Sequence, residues 1–180
     1  SARMERLITG LLELAHLGSR DMRQKIEKEP VEADRIVTAA ADALAEKAQK
    51  KSQQLDVRIE TDAKLLARED LFQEIIQNLL DNAIKYTPEG GKIAVSCEEK
   101  DSIIEIEVQD NGIGISKDDQ KKIFDKFYRV STGNLHDVKG FGLGLAYVRK
   151  MVGELGGTIS VESQIDKGTK FIIIIPLSKN

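Results

Sequence analysis

Apolar residues in the first 28 positions fall at Met4, Leu7, Ile8, Leu11, Leu12, Leu14 and Ala15, then at Met22 and Ile26. That spacing is a helical stripe wide enough to meet more than one neighbour. Glu5, Arg6, Glu13 and Arg20 fill the rest, and Gly18 loosens the middle. A helix at a chain end cannot bury such a stripe alone, so the pattern asks for a partner helix or a second copy. Folding back on its own domain is the alternative. Pro30 ends this helix at or before Glu29.

A second helix is expected over 31–53, with Asp34 as its N-cap. The alternation in "LDVRIET" predicts a strand over 55–61. Leu71, Ile75, Leu79, Leu80, Ala83 and Ile84 predict a third helix over 68–87, closed by a turn at 88–91. "KIAVSCEEK" and "SIIEIEVQD" read as strands joined in a hairpin at Lys100-Asp101. Residues 111–141 are irregular and polar, with one short helix near 117–127. "GLGLAYVRKMVGEL" is a helix ended by Gly156-Gly157, and "TISVES" and "GTKFIIIIPL" are the last strands. Helices and strands are mixed without strict alternation. The expected class is α+β, two layers with helices on one face of a mixed sheet, preceded by a long N-terminal helix.

Composition narrows the functions. A chain of 180 residues suits one domain, or one domain with a helical extension. With 41% hydrophobic and 32% charged residues it can build an ordinary soluble core. A net charge of −3 demands no basic face, so nucleic acid is not an expected partner. The apolar run "FIIIIPL" is too short to span a bilayer, and the N-terminus lacks the apolar core of a signal peptide. No membrane contact is expected of this stretch of chain. Ser1-Ala2 reads as a cloning remnant, and the chain as a fragment of something longer. Cys97, in an alternating strand, reads as a half-buried residue in a reducing compartment. Cys97, His16 and His136 lack any zinc-ligand spacing.

The chemistry-bearing residues come in four groups. Asn78 and Asn82 are four apart, hence on one helix face, with Lys85 and Tyr86 beyond them. An amide oxygen suits Mg²⁺ and a lysine suits phosphate; a solvated helix face is the plain alternative. Asp110 ends a strand and "NGIGI" (111–115) follows. An ionised carboxylate only accepts hydrogen bonds, which suits an exocyclic amine such as that of adenine. The glycines give the backbone a tight turn and let a flat ring approach. An Asp-Asn-Gly hairpin turn is the alternative. In "KGFGLGLAYV" (139–148) alternating glycines precede a helix, and loop and helix N–H groups there suit an anion. It is neither a P-loop nor a dinucleotide fingerprint. Gly168-Thr169-Lys170-Phe171 opens the last strand.

In this order and spacing the groups resemble the ATP-binding catalytic domain of sensor histidine kinases, within the ATPase superfamily shared with gyrase, Hsp90 and MutL. "NLLDNAIKYT" (78–87) resembles the N box, "DNGIGI" (110–115) and "GFGLGL" (140–145) the two glycine boxes, "KIFDKFYRV" (122–130) the phenylalanine box, and "GTKF" (168–171) the closing motif. The resemblance covers roughly 31–177. It implies a Bergerat ATP-binding fold over 30–180, with a mobile lid at about 116–141. Residues 1–29 would be the second helix of a dimerisation hairpin. The implied cofactors are ATP and Mg²⁺. Asn82 would ligate the metal, Asn78 and Lys85 would face the phosphates, and Tyr86 would pack by the adenine. Asp110 would accept from the adenine amine, with Gly112, Gly114 and Ile115 beside the base. Arg129 and Lys139 would reach the terminal phosphates, Phe124 and Phe127 would anchor the lid, and Gly140, Gly142, Leu143, Gly144 and Leu145 would wrap the triphosphate. Thr169 would support the base-binding end.

One position separates kinase from hydrolase. Superfamily members that hydrolyse ATP carry a glutamate one turn before the magnesium asparagine; that position is Asn78 here, and an amide is no general base. Glu74 lies two turns away. The resemblance therefore implies transfer of the γ-phosphoryl to a histidine, catalysed by Asn78, Lys85 and Arg129, and relay to the receiver domain of a response regulator. Neither His16 nor His136 is followed by the acid and proline of the family's acceptor helix, so the acceptor is expected outside this fragment. A homodimer through the N-terminal helix and a cytoplasmic, membrane-anchored parent are family expectations. A non-catalytic ATP-binding interaction module and a serine kinase of the anti-sigma type are the alternatives.

Overall fold

The computed structural model describes Met4, Ile8, Leu11 and residues 28–128 and 144–177. Its elements are β1 (Glu29–Glu32), α1 (Ala33–Lys50), β2 (Gln54–Glu60), β3 (Lys64–Ala67), α2 (Glu69–Tyr86), β4 (Lys92–Lys100), β5 (Ile103–Asp110), α3 (Lys117–Gln120), α4 (Gly144–Glu154), β6 (Thr158–Gln164) and β7 (Gly168–Pro176). The sheet order is β2-β4-β5-β7-β6. The β2–β4 pair is parallel and the remaining pairs are antiparallel. This is the expected α+β architecture.

Strand alternation decides what the sheet buries. Ile93, Val95 and Cys97 of β4, Ile104, Ile106 and Val108 of β5, and Phe171, Ile173 and Ile175 of β7 are all buried in one cluster with the helices. The other face carries Glu105, Glu107 and Lys170, with Lys170 3.8 Å from Glu107. Cys97 is fully buried rather than half-buried, and burial pushes its thiol up to about 12. α2 is the central helix and buries Leu71, Phe72, Ile75, Ile76, Leu79, Leu80, Ala83 and Ile84. That apolar face is wider than the six predicted positions because α1 and α4 both pack on α2 above the sheet.

Several expectations need correction. Residues 31–32, expected to open the second helix, belong instead to β1, which pairs antiparallel with β3 in a separate two-stranded ribbon. Asp34 is not the N-cap of α1. Glu32 holds that place in extended conformation without a side-chain cap. Asp34 sits in the first turn and accepts from the Arg35 N–H at 2.7 Å, a favourable place for a carboxylate beside the helix dipole. The short helix near 117–127 is a single turn, α3, followed by hydrogen-bonded turns. Ser116 caps it: its Oγ accepts from the Asp119 N–H at 3.2 Å. No hairpin forms at Asp110-Asn111-Gly112, because β5 pairs with β4 before it and with β7 beside it.

Candidate functional site

Asp110 continues the inward alternation of Ile104, Ile106 and Val108, so the strand carries a carboxylate onto the core face at the end of the sheet. It is 8% exposed. Its Oδ1 accepts from the Gly112 N–H at 2.9 Å and the Thr169 N–H at 3.3 Å. Burial raises its pKa above the usual carboxylate value, and the two backbone donors offset only part of that. No described residue donates to Oδ2. Asp110 and Thr169 are register partners, as are Thr169 and Ser163. A polar row therefore crosses three strands at one end of an apolar face. Ser163 Oγ lies 2.8 Å from Thr169 Oγ1 and accepts from the Ile115 N–H at 2.8 Å. Sequence reasoning missed Ser163, although it extends the alternation of Ile159 and Val161.

The loop after Asp110 is fitted to α2. The Ile113 N–H donates to the Tyr86 carbonyl at 3.2 Å. A Cβ on Gly112 would overlap that same carbonyl, and one on Gly114, at φ +74°, would overlap the Gln164 carbonyl. These glycines are required by the protein's own backbone, as the tight turn expected there demands. Gly168, at φ +115°, similarly passes the Asp110 carbonyl too closely for any side chain.

The polar stripe of α2 is present. The Asn78 amide donates to the Glu74 carbonyl one turn back at 2.9 Å. A Cβ on Gly144, the first residue of α4, would lie 3.8 Å from Asn78 Oδ1. The second glycine motif thus reaches the N box where α4 begins. Lys85 forms an ion pair with Asp81 at 2.9 Å. Asp81 also receives Lys47 from α1. Burial opposes the charge on Asp81, but hydrogen bonds from both lysines outweigh it and hold its pKa low. The carbonyl end of α2 is clamped by side chains that the sequence reading did not single out. Lys51 Nζ donates to the Ile84 and Thr87 carbonyls at 2.7 and 2.8 Å, and Gln53 Nε2 to the same pair at 3.0 and 2.7 Å.

Structure thus brings together Asn78 with Gly144, and Tyr86 with Gly112, Asp110 and Thr169. Ile115 is tied to the same corner through Ser163. Leu145 packs against the core. Arg129, Lys139, Gly140, Gly142 and Leu143 lie outside the described residues, as do His16 and His136. Phe124 meets Phe171 edge-on, with centroids 6.2 Å apart, and Arg149 lies over its ring. Phe127 is 52% exposed and takes φ +68°, and most of the segment it is expected to anchor lies outside the described residues.

Residues 67–179 match the family described as histidine kinase-, DNA gyrase B-, and HSP90-like ATPases. The chain belongs to this family. Among its relatives, the sensor protein RprX of Bacteroides fragilis is 45% identical over 163 residues, 88% of this chain and 31% of that protein. The sensor histidine kinase WalK of Bacillus subtilis is 32% identical over 176 residues, 97% of this chain and 28% of that protein. The chain thus spans about a third of the length of these curated relatives. Among solved structures, the nucleotide-free catalytic domain of the histidine kinase ThkA superposes with a TM-score of 0.74 at 27% identity, covering 84% of this chain and 96% of that one. Full-length ShkA in complex with AMPPNP gives 0.80 at 26% identity, covering 97% of this chain and 36% of that one. The ATP-binding fold expected from the motifs is therefore the fold of this family's kinase catalytic domains.

Proposed function

We propose that this chain is the Mg-ATP-binding kinase domain of a two-component sensor, and that it passes the γ-phosphoryl to a histidine outside these 180 residues. The observation that carries the reading is Asp110: a buried carboxylate with one oxygen taken by two backbone donors and the other facing no described donor. An adenine amine fits that second oxygen, because an ionised carboxylate only accepts. Thr169 and Ser163 hold the same corner, and Tyr86 stands beside it.

The metal fits the donor set in a limited way. Among the described residues no three His, Cys, Asp or Glu side chains gather as a cation site. The Asn82 amide oxygen would hold Mg²⁺, a hard ion that usually takes few protein ligands and keeps substrate phosphate and water. The ion would neutralise charge on the transferring group. Lys85, once exchanged from Asp81, and Arg129 and Lys139 would add positive charge there, while Gly140, Gly142, Leu143, Gly144 and Leu145 would supply backbone N–H groups. Asn78 supports transfer over hydrolysis: it has no basic oxygen to activate water, and its amide is already donated to Glu74.

The phosphohistidine would then serve a response-regulator receiver domain. Residues 1–29 would form the second helix of the dimerisation hairpin and 30–180 the catalytic domain, with residues 116–141 closing over the nucleotide. Met4, Ile8 and Leu11, three positions of the apolar stripe, are exposed, and the stripe would suit a homodimer interface. No described helix is long and apolar enough to cross a membrane; a cytoplasmic place beneath a membrane-anchored sensor accords with the family. The test supplies a two-helix fragment bearing a histidine followed by an acid and a proline, with γ-labelled ATP. Acid-labile label should appear on that fragment faster than free phosphate is released. Rapid phosphate release without label, or label on the chain itself that is lost on changing His16, would overturn the reading.

A further inference from the structure

Tyr147 lies one turn into α4 and is buried, 7% exposed. Its hydroxyl donates to Glu74 Oε2 on α2 at 3.1 Å. Glu74 is also the residue whose carbonyl receives the Asn78 amide at 2.9 Å. Three residues before Tyr147, Gly144 begins α4 against Asn78 Oδ1. One residue of α2 therefore fixes two things at once. Its backbone sets the rotamer of the N-box amide, and its side chain sets where the first turn of α4 sits over that amide.

We infer that Glu74 and Tyr147 are positioning residues that hold the start of α4 in register with Asn78, and so shape the phosphate end of the nucleotide site. This rests on the ATP-binding reading above. The buried apolar neighbours Val148, Met151 and Val152 attach α4 to the core, but apolar contacts are non-directional and do not fix a helix along its axis. A hydrogen bond between a phenol and a carboxylate does, because it weakens steeply with distance and angle. The first-turn N–H groups of α4 have no partner within the helix, and they are the groups an anion meets. A shift of α4 by a fraction of a turn would spoil contacts to phosphate oxygens while leaving Asp110, on β5, untouched.

The test is titration calorimetry of the whole chain with Mg²⁺ and a non-hydrolysable ATP analogue, and separately with AMP. The variants are Tyr147→Phe, Glu74→Leu and Glu74→Gln. Tyr147→Phe and Glu74→Leu should weaken the triphosphate by about 3- to 10-fold, the size of one hydrogen bond. They should leave AMP within about 2-fold of the wild type, on the same scale. Glu74→Gln keeps an acceptor oxygen and should restore the triphosphate affinity. Equal affinities throughout, or equal losses for triphosphate and AMP, would overturn the proposal. A wild-type chain that binds neither nucleotide would overturn the ATP-binding reading, and this inference with it.

Discussion

At the residue scale Asp110, the proposed acceptor of the adenine amine, carries a cost. Burial raises its pKa, so between the ordinary carboxylate value and the raised one the folded chain holds a proton that the unfolded chain has released. Its contribution to stability is thus present at low pH and lost as pH rises through the folded pKa. At neutral pH the ionised side chain is a liability to the fold. Asp110→Asn should raise the thermal midpoint near pH 7 and flatten that part of the pH–stability profile, since an amide oxygen still accepts from Gly112 and Thr169. The same change places an N–H where an amine must donate, and should weaken ATP-analogue binding by about 10- to 100-fold, the cost of an unpaired buried polar group. Thermal melts across pH and nucleotide titrations on the same variant check both halves. Wild-type affinity should likewise fall on acidification, beginning above the usual carboxylate range. Asp110 was legible in the sequence because three inward apolar residues precede it at alternate positions. The reason for Gly112 and Gly114 was not, since it lies in the carbonyls of Tyr86 and Gln164, which only folding brings beside them.

At the element scale the long periodic segments were readable and the short ones were not. α2 shows 3.6-residue periodicity over 18 residues, β4 and β5 alternate, and β7 is a continuous apolar run opened by Gly168, so these elements could be read from pattern and turn signals. β1 and β3 have four residues each, one of them containing Pro30, too short for a sequence pattern to mark them as strands. They exist because they pair with each other, with Val31 opposite Leu65 and both buried. α2 also ends in a way no local signal shows. Its last carbonyls are met by Lys51 and Gln53 from the turn after α1, which puts a cation at the negative end of the helix dipole. Lys51→Met should destabilise the chain by about 1–2 kcal/mol, allowing for partial solvent screening of these charge-assisted bonds. Urea unfolding with an unchanged slope would check it. The loss should carry a smaller loss of nucleotide affinity, because Tyr86 and Thr87 form that end.

At the scale of the whole molecule the sheet fixes one wall of the site and the helices the other. The sheet brings Asp110, Thr169 and Ser163 to one end of three adjacent strands. α2 ends at that corner, where the Tyr86 carbonyl meets the loop after Asp110, and α4 begins against Asn78. The family's motifs, separated by long stretches of sequence, meet because β5 and β7 are neighbours and α2 and α4 pack on one face. Sequence spacing could suggest that meeting only through resemblance, since register between β5 and β7 is a long-range property. The central claim is that this meeting point holds an adenine nucleotide through Asp110. Titration calorimetry of an ATP analogue, with and without Mg²⁺, on the wild type and Asp110→Ala tests it most directly. The account predicts saturable one-to-one binding strengthened by Mg²⁺ and weakened at least about tenfold by the substitution, as loss of a buried charged acceptor requires. Binding of equal strength in both proteins, or in neither, would contradict it.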